Sequence, residues 1–210
     1  MKLICFDLDD TLVNSSNVSV KAYNYALKKN GFKKKTRKEI LSMAGMVHIE
    51  IAGRLTNVKN KRILEKICLD HDEAIIKRFY KEIKIIKNVK ETLKKLKKRY
   101  KIAIVSNASH KTILAELRGA KISKSYFDFI IGNDDVKKSK PSPDEILKAE
   151  KLFKHKAEYL IGDSIYDVMA AKKAKVKVIS VLSGNYSKRE LLKYKPDYII
   201  SDIKKLLEII

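Results

Sequence analysis

The sequence predicts an α/β fold: a doubly wound, Rossmann-like parallel sheet that carries a helical cap domain inserted after the first strand. Three observations support this prediction. Short apolar runs recur along the chain, segments with helical spacing separate most of them, and one long stretch near the N-terminus shows helical spacing alone. Alternating strands and helices favour a parallel sheet, because each pair of parallel strands needs a crossover, which is usually a helix.

Six apolar runs are predicted to be strands that are buried on both faces, since helices cover both sides of a parallel sheet. They are Leu3–Phe6, Ile102–Val105, Phe129–Ile131, Tyr159–Ile161, Val178–Val181 and Tyr198–Ile200. Apolar residues recur at helical spacing between them, as at Val89, Leu93 and Leu96. A second apolar stripe begins at Ile146. The C-terminal two thirds of the chain therefore read as alternating strands and helices.

The stretch from 14 to 86 breaks this alternation. Apolar residues such as Val20 and Leu27 have helical spacing there, and no convincing strand is present. We interpret residues 14–86 as a helical cap inserted after the first strand, and residues 1–13 and 87–210 as the α/β core. The alternative is a helical layer that packs flat on the sheet.

Lysine dominates the charge of this chain of 210 residues. Basic residues number 47 against 25 acidic ones, which gives a net charge of +22, and 40 of the basic residues are lysines. This charge raises nucleic acid or an anionic surface as possible partners. Surfaces that read bases or clamp phosphates usually rely on arginine, however. We therefore expect the lysines to serve solubility or to attract small anions, and we expect no specific nucleic-acid partner.

The two cysteines, Cys5 and Cys68, lack the spacing of a disulfide framework or of a cysteine zinc site. The first carboxylate, Asp7, comes too early for the apolar core of a signal peptide. No apolar run approaches the ~20 residues of a membrane span. We expect a cytoplasmic protein with no membrane partner, and the sequence leaves the oligomeric state open.

Four fragments with small polar or charged side chains follow predicted strands. They are Asp7–Thr11, Ser106–Asn107, Lys140–Pro143 and Gly162–Asp167. Ligands of open α/β sheets bind beyond the carboxyl ends of the strands. We therefore expect the four fragments to share one site.

The carboxylates of these fragments favour a bound divalent cation. Asp9 lies two residues after Asp7, so in an extended chain both side chains point the same way, and Asp163 ends another strand. Two carboxylates at ~4 Å repel each other by about 4 kcal/mol at an effective dielectric constant near 20. A few hard oxygen ligands favour Mg²⁺. The alternative readings are a polar loop at Asp7–Asp10 and a helix N-cap at Gly162–Ser164, and neither excludes a site.

Taken together, the four fragments resemble the signature motifs of the haloacid dehalogenase superfamily of phosphotransferases. The run Gly132–Asp144 is similar to that family as well. The helical insert resembles the branch of phosphoglycolate phosphatases and related sugar-phosphate enzymes. The chain departs from the family at Ile85–Val89, where a Pro-Gly pair is frequent, and at Lys175, where glycine is frequent. Both departures concern turns, so they bear on the subfamily rather than on the chemistry.

The resemblance implies a role for each polar residue. Asp7 would be the nucleophile that attacks phosphorus and forms an aspartyl-phosphate. Asp9 would protonate the leaving alcohol and then activate water. Ser106 and the backbone N–H of Asn107 would bind the phosphoryl oxygens, and Lys140 would neutralise the charge on them.

The resemblance also implies a Mg²⁺ site. Asp7, the backbone carbonyl of Asp9 and Asp163 would hold the ion. Asp167 would be a further acid at the metal or would orient Lys140.

The sequence thus predicts a Mg²⁺-dependent phosphomonoester hydrolase that acts on a small metabolite such as phosphoglycolate or a sugar phosphate. A phosphomutase would use the same residues, and a nucleic-acid-binding module or a polynucleotide-end phosphatase remains an alternative on charge alone. A metal-free dehalogenase is disfavoured because it would need neither Asp9 as an acid nor Asp163 as a ligand. In the insert, His48 and Arg54 could face the substrate, although His48 also fits an ordinary helix position.

Overall fold

The computed structural model describes all residues from Met1 to Ile210. Eight strands and ten α-helices alternate over most of the chain. The strands are β1 (Lys2–Phe6), β2 (Val13–Asn14), β3 (Lys84–Ile85), β4 (Tyr100–Val105), β5 (Phe129–Ile131), β6 (Ala157–Gly162), β7 (Lys177–Val181) and β8 (Tyr198–Ile200). The helices are α1 (Ser16–Lys29), α2 (Arg37–Leu41), α3 (His48–Thr56), α4 (Lys61–Ala74), α5 (Val89–Leu96), α6 (His110–Gly119), α7 (Asp144–Phe153), α8 (Ile165–Ala174), α9 (Lys188–Lys193) and α10 (Leu206–Ile209).

Six of the strands form one parallel sheet in the order β5-β4-β1-β6-β7-β8. The chain passes from β1 to β4 on one side and later adds β6 on the other side, so the connections change direction at β1. Crevices at such a point are where open α/β sheets bind ligands. The predicted fold and all six predicted strands are confirmed. The apolar runs of β1, β4, β6 and β7 are buried on both faces, whereas the edge strands β5 and β8 are partly exposed.

Alternate residues of the central strands pack on opposite faces of the sheet. Ile4 and Phe6 belong to a cluster of 29 buried residues on one face. Leu3 and Cys5 belong to a cluster of 15 on the other. The sheet is therefore the middle layer of three.

Helices α1 to α4 lie between β2 and β3, and we call this segment the insert. The chain enters and leaves it through one short antiparallel ladder. β2 pairs with β3, with Val13 opposite Ile85 and Asn14 opposite Lys84. No strand was predicted between 14 and 86, so this ladder was not expected. A ladder of two residues on each side is too short to produce a recognisable alternation of apolar and polar positions.

The insert has small apolar clusters of its own. One cluster has seven buried residues, among them Tyr23, Leu27 and Ile51. The other has four, among them Leu64 and Ile67. Helix α4 continues without a break into a π-helical turn before β3. The longest helices have 14 residues, and none has the length and hydropathy needed to span a membrane.

Candidate active site

The carboxyl ends of β1, β4 and β6 meet beneath the insert around a cavity of about 90 Å³. Six of the seven residues predicted for the site line this cavity. They are Asp7, Asp9, Ser106, Asn107, Lys140 and Asp163. The seventh, Asp167, does not line it and contacts it through Lys140.

Lys140 occupies the centre of the site and is only 3% exposed. Its Nζ donates to Oδ1 of Asp7 at 2.7 Å, to Oδ1 of Asp167 at 2.6 Å and to the carbonyl of Val105 at 3.0 Å. Burial lowers the pKa of Lys140, but the carboxylates of Asp167 and Asp7 outweigh it and raise the pKa overall. Lys140 is therefore a fixed, permanently charged partner of the two acids.

Three buried acids, Asp7, Asp163 and Asp167, have carboxylate oxygens within 4.8 Å of one another. Burial raises the pKa of Asp163, and the neighbouring acids Asp7 and Asp167 raise it further. Burial also raises the pKa of Asp7, to about 8, against the opposing effect of Lys140. One lysine does not offset three buried acids, so this set of oxygen donors fits a hard divalent cation.

Asp167 is fixed by the first turn of α8. Ser164 is the N-cap of this helix, and its hydroxyl and backbone N–H donate to Oδ2 of Asp167 at 2.5 and 3.1 Å. The other oxygen of Asp167 accepts from Lys140. Both oxygens are thus engaged, which favours the expected role of Asp167 as the residue that orients Lys140.

Asn107 joins three segments at the end of β4. Its side-chain amide donates to the carbonyl of Gly45 in the insert at 2.9 Å and to the carbonyl of Lys140 at 3.0 Å. The neighbouring Ser106 is buried, and its hydroxyl accepts from the backbone N–H of Ala108 at 3.1 Å. The polar residues after β4 therefore lie at the cavity with their backbone held in place.

Sequence reasoning missed a group that holds the loop after β1. Asp10 has a left-handed φ of 52° and is buried. Its carboxylate accepts from the backbone N–H groups of Ser15 and Ser16 at 3.2 and 3.3 Å and from the side chain of Asn185 at 2.8 Å. Asn185 lies just beyond β7, at the same edge of the sheet, and this position in the sequence could have indicated that its side chain belongs to this group.

The same loop after β7 packs tightly against the acid cluster. A side chain at Gly184 would place its Cβ 1.8 Å from Oδ2 of Asp163. On the other side of Asp163, the hydroxyl of Thr11 donates to Oδ1 at 3.2 Å. Asp163 is therefore held in one position by its surroundings.

The insert contributes a second titratable group that the sequence did not reveal. Oδ1 of Asp72 lies 3.1 Å from Nδ1 of His71 and 3.5 Å from Nδ1 of His48, and Oδ2 accepts from the hydroxyl of Ser109 in the core at 2.8 Å. Burial raises the pKa of Asp72, but hydrogen bonds from the two histidines lower it overall. His48 and His71 line the cavity, whereas Arg54 does not.

Glu116 of α6 is the remaining unexpected acid. It is 2% exposed and lines the cavity beside Asp9. Burial raises the pKa of Glu116 well above its usual range, and the carboxylates of Asp9 and Asp72 add to the rise. Its helical position gave no sign in the sequence that it would face the site.

Comparison with known proteins agrees with this geometry. The family described as haloacid dehalogenase-like hydrolase matches residues 4–181. A PpaX protein of Caldanaerobacter subterraneus subsp. tengcongensis is 32% identical over 99% of this chain and 93% of its own length. The pyrophosphatase PpaX of Bacillus mycoides is 26% identical over 99% of this chain and 95% of its own.

Solved structures show the same fold. A haloacid dehalogenase-like hydrolase from Bacteroides fragilis superimposes with a TM-score of 0.90 at 30% identity, covering 98% of this chain and 99% of the other. A predicted phosphoglycolate phosphatase from Haemophilus somnus gives a TM-score of 0.84 at 25% identity, covering 100% and 97%.

A parallel sheet that gathers buried acids and one buried lysine at the point where its connections change direction defines an enzyme with a polar active site at that edge. The chain belongs to the haloacid dehalogenase-like hydrolase family. The family and the hydrolytic class predicted from the sequence are thereby confirmed.

Proposed function

We propose that this hydrolase removes phosphate from small phosphomonoesters through an aspartyl-phosphate on Asp7, with Mg²⁺ as cofactor. The observation that carries the proposal is the contact of Lys140 with Asp7 in a buried cluster of acids at the end of the central strand. A carboxylate held next to a fixed cation is oriented for attack, and the same cation can offset negative charge on the phosphoryl group.

The reaction would proceed in two steps that use the same acid. In the first, a carboxylate oxygen of Asp7 attacks phosphorus, the bond from phosphorus to the ester oxygen breaks, and Asp9 gives its proton to that oxygen. In the second, Asp9 takes a proton from water while the water oxygen attacks phosphorus, and the bond to Asp7 breaks to release phosphate. Asp9 is half-buried and lies two residues after Asp7, at the cavity.

The phosphoryl oxygens would be bound by the residues that follow β4. The hydroxyl of Ser106 and the backbone N–H of Asn107 lie at the cavity and can donate to them. Lys140 would keep its charge below these oxygens throughout the reaction, because Asp167 holds it in place.

The acids fit the cofactor that the family resemblance implies. Asp7, Asp163 and the carbonyl of Asp9 would hold Mg²⁺, and Asp167 would keep Lys140 in place beside them. When bound, the ion supplies positive charge that draws the phosphate group in and offsets the repulsion among the carboxylates.

The names of two relatives give a second candidate. Both names include the words pyrophosphatase PpaX, so inorganic pyrophosphate is an alternative substrate for this chain. Its hydrolysis would use the same nucleophile and the same acid.

The test is phosphate release from a panel of phosphomonoesters and pyrophosphate, with Mg²⁺ and with a chelator. We expect Mg²⁺-dependent release by the native protein and none by Asp7→Asn, together with a phosphorylated Asp7 peptide after an acid quench. Lys151→Met, on the exposed face of α7, is the matched control and should retain full activity. Turnover by Asp7→Asn would contradict the assignment of the nucleophile.

A further inference from the structure

We propose that the leaving group of the substrate is a small uncharged alcohol that carries further hydroxyl groups, bound by Tyr23, His71 and Glu116. This inference rests on the proposed function and narrows it, because it excludes substrates whose leaving group is a second anion. Phosphoglycolate and pyrophosphate both belong to the excluded class.

Three polar atoms around the cavity lack hydrogen-bond partners. The hydroxyl of Tyr23, Nε2 of His71 and Oε2 of Glu116 are buried and form no hydrogen bond within the protein. All three residues line the cavity. Buried polar groups in proteins are nearly always paired, and a set of unpaired ones around one cavity indicates a polar ligand that completes them.

The three residues come from both the insert and the core. Tyr23 comes from α1 and His71 from α4, and their rings stack with centroids 4.1 Å apart. Glu116 comes from α6 of the core and lies beside Asp9, the residue that would protonate the leaving oxygen. The insert and the core thus enclose the part of the cavity that a leaving group would occupy.

The cavity has no lysine or arginine that is free to pair with a second anionic group. Although the chain has 47 basic residues, Lys140 is the single lysine or arginine that lines the cavity. All its hydrogen bonds are used by Asp7, Asp167 and a backbone carbonyl. Of the two histidines that line the cavity, His48 already faces the carboxylate of Asp72.

A second anionic group would therefore enter a region without a free positive partner to replace its hydration. Hydroxyl groups suit the same region, because each can donate to a carboxyl oxygen or to an imidazole nitrogen and can accept from the Tyr23 hydroxyl. The charge and hydrogen-bonding capacity of the cavity both favour a neutral polyhydroxylated alcohol.

The size of the cavity favours a small alcohol. A volume of about 90 Å³ accommodates a few water molecules, since one water needs at least about 10–15 Å³ of such space. Part of that space belongs to the phosphoryl group. A three-carbon polyol is thus a suitable probe.

The experiment compares four substrates under identical conditions with Mg²⁺: glycerol 1-phosphate, n-propyl phosphate, 2-phosphoglycolate and inorganic pyrophosphate. Propyl phosphate matches glycerol phosphate in length but lacks its free hydroxyl groups. We expect kcat/KM for glycerol 1-phosphate to exceed that for each of the others by at least about tenfold, because a site built to bind hydroxyl groups rejects analogues without them.

Two variants test the residues themselves. Tyr23→Phe and Glu116→Gln should lower the ratio of kcat/KM for glycerol phosphate to that for propyl phosphate by about fivefold or more, whereas a loss of stability would reduce both substrates alike. Tyr25→Phe, on the same helix but away from the cavity, is the control and should leave the ratio unchanged. Thermal unfolding verifies that each variant is folded.

The outcomes separate this inference from the proposed function. Preference for phosphoglycolate or pyrophosphate would overturn the inference and leave the phosphatase intact. Unchanged ratios in both variants would overturn the assignment of the residues. Phosphate release from none of the four substrates or the wider panel would instead contradict the proposed function.

Discussion

The ammonium group of Lys140 lies between the carboxylates of Asp7 and Asp167, 2.7 Å from the first and 2.6 Å from the second. The two acids follow neighbouring strands at the point where the connections of the sheet change direction: Asp7 lies after β1, and Asp167 lies in α8, which follows β6. A single buried cation therefore joins the candidate nucleophile to the helix that follows β6.

Replacing Lys140 by methionine should reduce both stability and activity. The change leaves two buried carboxylates without their cation, and breaking a buried ion pair costs about 3–5 kcal/mol of unfolding free energy. We expect a loss of about 3 kcal/mol in urea unfolding without Mg²⁺, and a fall in kcat of at least ~10²-fold. Lys151→Met, which is exposed, should change unfolding by no more than ~0.5 kcal/mol. If the Lys140 variant is as stable as the native protein, then Asp7 and Asp167 are not both ionised in the folded state.

Magnesium should stabilise the folded protein through the acid cluster. Ligand that binds only the folded state at 100 times its dissociation constant adds about 2.7 kcal/mol of unfolding free energy. We expect the thermal midpoint to rise with Mg²⁺ concentration, and to rise much less in Asp163→Asn, which removes one of the three clustered carboxylates. Sodium at matched ionic strength is the control. A midpoint that responds equally to both salts would contradict the site.

Glu145 should make stability depend on pH in the direction opposite to a salt-bridged acid. It is fully buried, and burial raises its pKa from 4.5 to about 7. Between these pH values the folded state holds a proton that the unfolded state has released, so the free energy of unfolding falls as pH rises. The total fall is on the order of 3 kcal/mol.

Glu145→Gln removes this titration and can still accept the hydrogen bond that Glu145 receives from the backbone N–H of Lys140. Urea unfolding at pH 5 and pH 8 should therefore show the variant gaining stability relative to the native protein at the higher pH. The exposed Glu65→Gln serves as control. Parallel pH profiles for Glu145→Gln and the native protein would refute the shift.

Lys175→Gly should stabilise the protein. Lys175 ends α8 with a left-handed φ of 60°, which is unfavourable for a residue with a Cβ atom, and its side chain is exposed. We expect a gain of about 0.5–1 kcal/mol in unfolding free energy. Lys172→Gly, at an exposed position within the same helix, should lower it by a similar amount. A loss of stability in Lys175→Gly would show that the lysine side chain contributes more than the backbone strain removes.

The sheet was predictable because its signal is local. Each strand is an apolar run, and the polar residue that follows it, such as Asp7 or Asp163, lies at the ligand-binding edge by the topology of parallel sheets. Two positions with a backbone conformation that favours glycine also fall where the sequence departs from the family. Asn88 and Lys175 have left-handed backbones, with φ of 65° and 60°.

The other half of the site was not predictable because it depends on how helices pack. His71, Asp72 and Glu116 lie on helices whose spacing shows which face is apolar, but not which polar residue faces a distant segment. Asp72 meets Ser109 only when the insert lies over the core, and no local pattern encodes that contact. For the same reason His48 could be read as an ordinary helix residue, although it lines the cavity.

The side-chain amide of Asn107 donates both to the carbonyl of Gly45 in the insert and to the backbone carbonyl of Lys140. Any outward movement of the insert would break the first of these bonds and leave the second intact. The contact that ties the insert to the core at this point is therefore separate from the contact that keeps Asn107 beside Lys140, so the candidate site would retain its internal arrangement if the insert moved.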